Sequence, residues 1–201
     1  RTLARGCTQS AGKGGYRLHG HGDWILSLGV DYFAGVDGIS IRMVFLTALI
    51  SFVGVIASYS VKDQLKGYFA MYCLLVTGMF GVFISLDLFL FYVFWELMLI
   101  PMYVMIGVWG GENRIKAAIK FFLYTMAGSV LMLAAILYLA YTYAKANAGV
   151  ASFDYFELSR VLVPRSTQLW LWAAFTLSFV IKVPMFPFHT WLPDAHTEAP
   201  T

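Results

Sequence analysis

Five stretches of this chain are each long enough to cross a bilayer and almost free of charge. One helical span needs about 20 consecutive apolar residues. Residues 43–61, 67–86, 88–111, 121–144 and 166–193 run for 19, 20, 24, 24 and 28 residues, and all of their formal charge is Glu96 and Lys182. Together they hold 115 of the 201 residues but only 2 of the 25 charged ones. An even spread would place roughly 14 there. With 60% hydrophobic residues, 12% charged and a mean hydropathy of +0.71, the chain lacks the charge a water-facing surface carries. The composition excludes ordinary soluble domains, disordered tails, collagen-like fibres and disulfide-stapled modules.

The stretches also select the element type. A membrane β-barrel needs segments alternating apolar-out and polar-in, and LFLFYVFWELMLIPMYVMIGVW does not alternate. Nor do the segments show the polar stripe of a soluble amphipathic helix. The expected fold is all-α, a polytopic helical membrane protein, with helices over 40–61, 67–86, 88–110, 115–144 and 166–193. Residues 1–36 are expected to be a tail and non-membrane lead-in, with the transmembrane domain over 37–201. Within the lead-in, residues 1–22 are basic, glycine-rich and expected to be mobile, and the Gly and Asp of GVDYFAGVDGIS mark a turn into the first span. ASFDYFELSR, with its aromatic and acidic residues, is expected at the membrane surface.

The net charge of +3 does not point to nucleic acid, because Lys and Arg sit in short loops and in the tail. Lys62, Lys66, Arg114 and Lys116 crowd two short loops, which the positive-inside rule places in the cytoplasm. The final HTWLPDAHTE is expected on that same side, and Arg42 marks an interface. Cys7 and Cys73 form no C-x-x-C pair, and Cys73, inside a span, is expected to be a buried small hydrophobe. The opening residues have no apolar h-region and are not a secretory signal. GKGG fails the phosphate-loop spacing, and Gly14 stands where a hydroxyl is required. The chain opens on Arg1 and closes on HTEAPT directly after an apolar stretch, so it is expected to be an internal piece of a longer protein.

The two charges inside spans carry the chemistry. Glu96 has eight uncharged residues before it in its stretch and 15 after; Lys182 has 16 and 11. A charge at such depth costs about 2.5 to 3.5 kcal/mol on insertion scales. The carboxyl must be protonated, paired with a cation or facing internal water. The simplest resolution sets Glu96 and Lys182 face to face across a helix interface, or nearly so. A static ion pair fixing helix register is one reading, although buried pairs often add no net stability. The other is a proton switch, in which moving Lys182 changes the proton affinity of Glu96.

FVIKVPMFPFHTWLP favours mobility around Lys182. Pro184 and Pro187 free the carbonyls of Val180 and Val183, so that the lysine can bond one of them or bind water, and Ser178 lies one turn before it. Pro101 likewise frees the carbonyl of Leu97. Lys120 either snorkels to the interface or acts as a relay near the entrance. His189 and His196, with Asp194 and Glu198 nearby, have no helical metal spacing; they cap a loop or admit protons from the aqueous side.

FYVFWELMLIPMY, RIKAAIKFFLYT and IKVPMFPFHTWLPDAHTEAPT together resemble the antiporter-like, proton-pumping subunits of bacterial NADH:quinone oxidoreductase, respiratory complex I, and subunit M more than its paralogues. The resemblance covers roughly residues 37–201. It implies a membrane-arm subunit of about fourteen helices, with two inverted repeats of about five, each holding a broken helix. It further implies proton translocation coupled to electron transfer from NADH to quinone, in the bacterial inner membrane and beside other antiporter-like subunits. By the same resemblance NADH, FMN, iron-sulfur clusters and quinone are bound by other subunits, and Glu96, Lys182 and Lys120 match the family's proton-transfer residues. A subunit of a cation/proton antiporter or membrane-bound hydrogenase shares these motifs, and a purely structural membrane scaffold is a third reading.

Overall fold

The computed structural model describes residues 18–25 and 29–199. Cys7, the GKGG stretch and most of the expected tail lie outside the described residues. Two strands come first, β1 (Leu18–Ile25) and β2 (Val30–Val36). Eight helices follow: α1 (Ser40–Ala57), α2 (Leu65–Ile84), α3 (Leu88–Leu97), α4 (Leu99–Trp109), α5 (Arg114–Ala146), α6 (Tyr155–Leu158), α7 (Arg165–Lys182) and α8 (Trp191–Glu198). Among the described residues, four segments are long and apolar enough to cross a membrane: α1, α2, α3 with α4, and α5.

Two differences from the sequence expectations stand out, beside one expected break. The lead-in forms an antiparallel hairpin, with Leu18 opposite Val36 and Ile25 opposite Val30, where an irregular tail and turn were expected. A short, glycine-interrupted run reads as a turn until a neighbour supplies its pairing, and here Leu86 N–H donates to Phe33 C=O across 2.9 Å. The span over 88–110 is two helices meeting at Met98, three residues before Pro101. The span over 166–193 is α7 and α8 with a break between them, the discontinuity its prolines predict.

Helix α5 is the mast of the molecule. Its 33 residues extend about 50 Å. Its first half packs Ala117, Ala118 and Phe121 against Leu99 and Ile106 of α4 and Trp191 and Ala195 of α8. Its second half packs Met132, Ile136 and Ala140 against Trp95 of α3, Val30 of β2 and Phe153. At one end Trp109 Nε1–H donates to Asp63 C=O (2.8 Å) and Gly111 N–H to Glu198 C=O (3.0 Å). The two short basic loops and the final segment therefore share a membrane face. Cys73 is exposed on α2, which corrects the expectation of a buried thiol: it lies on the outward side of a helix that is apolar all round.

The opposite face is tied together by Asp87, which is 1% exposed. It caps α3 by accepting from Phe89 N–H (2.8 Å) and Leu90 N–H (2.9 Å), while Leu88 N–H donates to Phe153 C=O and Tyr155 N–H to Leu86 C=O. Burial pushes the Asp87 carboxyl above the ordinary range, opposed by the N–H groups of Leu90, Asp31 and Phe89. A raised folded-state pKa means that the associated stability is full below the ordinary value and lost as pH rises through the raised one. Asp87→Ala is expected to cost about 0.5–2 kcal/mol through the lost cap. Asp87→Asn keeps an acceptor without a charge to desolvate. In thermal unfolding in detergent at neutral pH the Ala variant should melt earlier than the wild type and the Asn variant no earlier.

Candidate functional site

The site is built where α7 stops. Pro184 and Pro187 have no N–H to continue the helix, and the chain satisfies the exposed carbonyls by other means. Val183 N–H donates to Phe179 C=O (2.8 Å) and Met185 N–H to Val180 C=O (2.9 Å), while Trp191 Nε1–H, from the first residue of α8, donates to Ile181 C=O (2.9 Å). A helix broken within a membrane protein is tolerated where protein groups satisfy the backbone in this way. Lys182 therefore does not bond the carbonyl freed at Val180, as its proximity suggested. Its Nζ donates instead to Trp95 C=O on α3 (3.3 Å) and lies 4.6 Å from the Trp95 ring centroid.

Trp95 holds that position firmly. Its ring contacts Phe91 on its own helix and Phe179 on α7, each at 5.5 Å between centroids. An ammonium over an indole face is attracted by the ring quadrupole, and the carbonyl adds a charge-assisted hydrogen bond. Lys182 is thus held by neutral groups, one residue along the chain from Glu96.

Glu96 is half-buried, and its Oε1 is fully buried without a hydrogen-bond partner. Among the described residues it makes no direct ion pair with Lys182. The lysine's direct contacts are with Trp95, the residue before Glu96. A buried carboxyl oxygen without a donor is costly, so Glu96 Oε1 is an unsatisfied polar atom at the site. Ser178, buried one turn before Lys182, lies against Gly128 of α5.

The remaining sequence candidates lie elsewhere. Lys120, in the second turn of α5, forms an ion pair with Asp194 of α8 at 2.7 Å. His189 lies in the break with its Nδ1 buried and unpartnered and its ring 5.8 Å from that of Phe186. His196 is exposed on α8. No group of three His, Cys, Asp or Glu side chains converges on a metal site among the described residues.

The family model described as NADH:quinone oxidoreductase/Mrp antiporter, TM, matches residues 85–201, more than half of the chain, including Glu96, Lys120 and Lys182. The chain belongs to this antiporter-like family. Its similarity to NADH-quinone oxidoreductase subunit M of Rickettsia bellii is 45% identity over 181 residues, covering 89% of this chain and 35% of the relative. With the subunit M of Escherichia coli K12 it shares 40% identity over 200 residues, 96% of this chain and 39% of the relative. A chain of respiratory complex I from Thermus thermophilus superimposes with a TM-score of 0.80 at 33% identity, over 93% of this chain and 38% of that one. The chain thus spans little more than a third of the length of these relatives.

Within this antiporter-like framework, sequence reasoning missed Trp95, Trp191 and the partner of Lys120. Tryptophans inside apolar runs give no signal apart from hydrophobicity. Their polar atoms matter here only because the break leaves carbonyls and a cation to be satisfied.

Proposed function

We propose that this integral, multi-pass membrane chain forms part of a membrane-arm subunit of a proton-translocating NADH:quinone oxidoreductase, of the subunit M type. The observation that carries this reading is Lys182 at the end of a broken helix, held by Trp95 next in sequence to Glu96, whose Oε1 is buried without a hydrogen-bond partner. With the lysine on the Trp95 carbonyl and ring, its charge is held off the Glu96 carboxyl. When Lys182 swings from Trp95 toward Glu96, the nearby cation favours the ionised carboxylate, and the proton leaves. Return of the lysine restores proton affinity. Lys120, ion-paired with Asp194 at 2.7 Å, lies nearer the aqueous face.

In this reading the chain does no redox chemistry. NADH, FMN, iron-sulfur clusters and quinone are held by other subunits, and its neighbours are the other antiporter-like subunits of the arm in a bacterial inner membrane. The names of the relatives supply the oxidoreductase context. The test is Glu96→Ala in the full-length subunit within its complex. NADH-driven proton translocation is expected to fall by at least about tenfold, with assembly intact by native gel. Normal translocation with confirmed assembly sinks the switch. Co-purification with membrane subunits alone, together with sodium-sensitive exchange, would instead assign the chain to a cation/proton antiporter.

A further inference from the structure

After Lys182 the backbone runs through residues 183–190 without regular structure before α8 begins. No helical hydrogen-bond ladder crosses that gap, so the position of α8 relative to α7 depends on tertiary contacts. Trp191 and Ala195 bury α8 in the groove between α4 and α5, a contact that fixes its face. Asp194 and Glu198, one helical turn apart, share the side of α8 that meets α5. Asp194 pairs with Lys120 at 2.7 Å. Glu198 Oε2 accepts from Asn113 N–H at 3.0 Å, and the Glu198 carbonyl accepts from Gly111 N–H at 3.0 Å. A crevice of about 250 Å³, lined in part by Lys116, Asp194 and Glu198, opens beside these contacts.

We propose that Asp194 is a positioning residue for Lys182, and that its ion pair with Lys120 latches α8 to α5 and holds the far side of the break in place. This inference rests on the proton-switch reading. The link to the switch is Trp191: its indole joins the first residue of α8 to the Ile181 carbonyl, the residue before Lys182. A displaced α8 pulls on the last turn of α7 and shifts the lysine against Trp95. The pair is partly exposed, with side-chain exposures of 33% for Lys120 and 48% for Asp194, and such pairs add little to global stability. Its loss therefore changes position without unfolding the bundle. The role differs from proton carriage by Lys120, because a latch needs opposite charges at the two positions and is indifferent to which end holds which.

The experiment uses the full-length subunit in its assembled complex. Asp194→Asn and Lys120→Gln are each expected to lower NADH-driven proton translocation by about tenfold, as misplacement of a reacting group does. The double variant should be no worse than either single one, the signature of one shared interaction. The reversed pair, Lys120→Asp with Asp194→Lys, should recover most of the activity. Spin labels at positions 115 and 197, in a cysteine-free background, should give a narrow distance distribution that broadens in Asp194→Asn and narrows again in the reversed pair. A distribution unchanged by Asp194→Asn, or a reversed pair as inactive as the singles, overturns the latch; the second result marks Lys120 as a proton carrier. The distances do not depend on pumping, so failure of the switch reading, seen as normal translocation in Glu96→Ala, is told apart from failure of the latch.

Discussion

Lys182→Ala in the assembled full-length subunit is expected to reduce proton translocation at least as severely as loss of Glu96, without loss of assembly. The two effects separate because of what the lysine touches. Its ammonium is held by a carbonyl and a ring face on Trp95, and neither collapses when it is removed. Trp95 stays packed between Phe91 and Phe179, and deleting a buried cation also removes its desolvation cost. The attraction lost at the ring is about 0.5–2 kcal/mol, a minor part of the stability of a bundle this size. Lys182→Arg is the more discriminating substitution. Arginine preserves the charge and stacks well on an indole, but it does not release its proton in proteins. If Lys182 must exchange protons, the Arg variant will assemble normally and pump poorly, as measured by acidification in inverted vesicles. Full pumping by Lys182→Arg would show that the lysine acts as a fixed, movable charge and that Glu96 alone carries the proton.

How much of this was legible beforehand depends on the kind of signal each feature leaves in a sequence. Glu96 and Lys182 stand out because charge is rare in apolar spans, and counting residues to either side gives depth without any structure. The helix break is equally visible, since Pro184 and Pro187 leave a local mark. What depth counting does not supply is partnership. It set the two charges face to face, or nearly so, and gave no sign that Lys182 is held by Trp95, a residue that looks like any other aromatic in FYVFWEL. Likewise, Lys120 read alone is a snorkelling cation or a relay. Its partner Asp194 lies 74 positions away, and no local pattern couples them. The lead-in hairpin was hidden for a third reason. Its β2 strand bonds to the turn between α2 and α3, so the structure of 30–36 depends on residues more than fifty positions later.

The second large effect is expected at a position with no charge at all. Gly81 of α2 packs against the Phe94 ring of α3, so that a Cβ built there would clash with Cγ, Cδ1 and Cδ2 of that ring. One turn earlier, a Cβ on Gly78 would come within 2.6 Å of Met98 Cγ and 3.4 Å of Phe94 C=O. Helices in lipid associate through such close backbone approach at small residues, because apolar burial alone does not distinguish a neighbouring helix from a lipid tail. Gly81→Leu must drive Phe94 out of its place, and overpacking of this kind costs about 1–3 kcal/mol or more. The consequence reaches the site, because Phe94 precedes Trp95 and Glu96 in the same helical turn, and tilting α3 withdraws the carbonyl that Lys182 bonds. Gly81→Leu is therefore expected to lower both thermal stability in detergent and proton translocation. Gly107→Ala is the matched control: its Cβ meets only Ala118 Cβ at an ordinary 3.8 Å, and a Gly→Ala change in a compatible helix gains about 0.4–1 kcal/mol. Adding Phe94→Ala to Gly81→Leu should restore part of the stability by returning the space taken by the new side chain. If Gly81→Leu melts like the wild type, α2 and α3 are not held together through this glycine face.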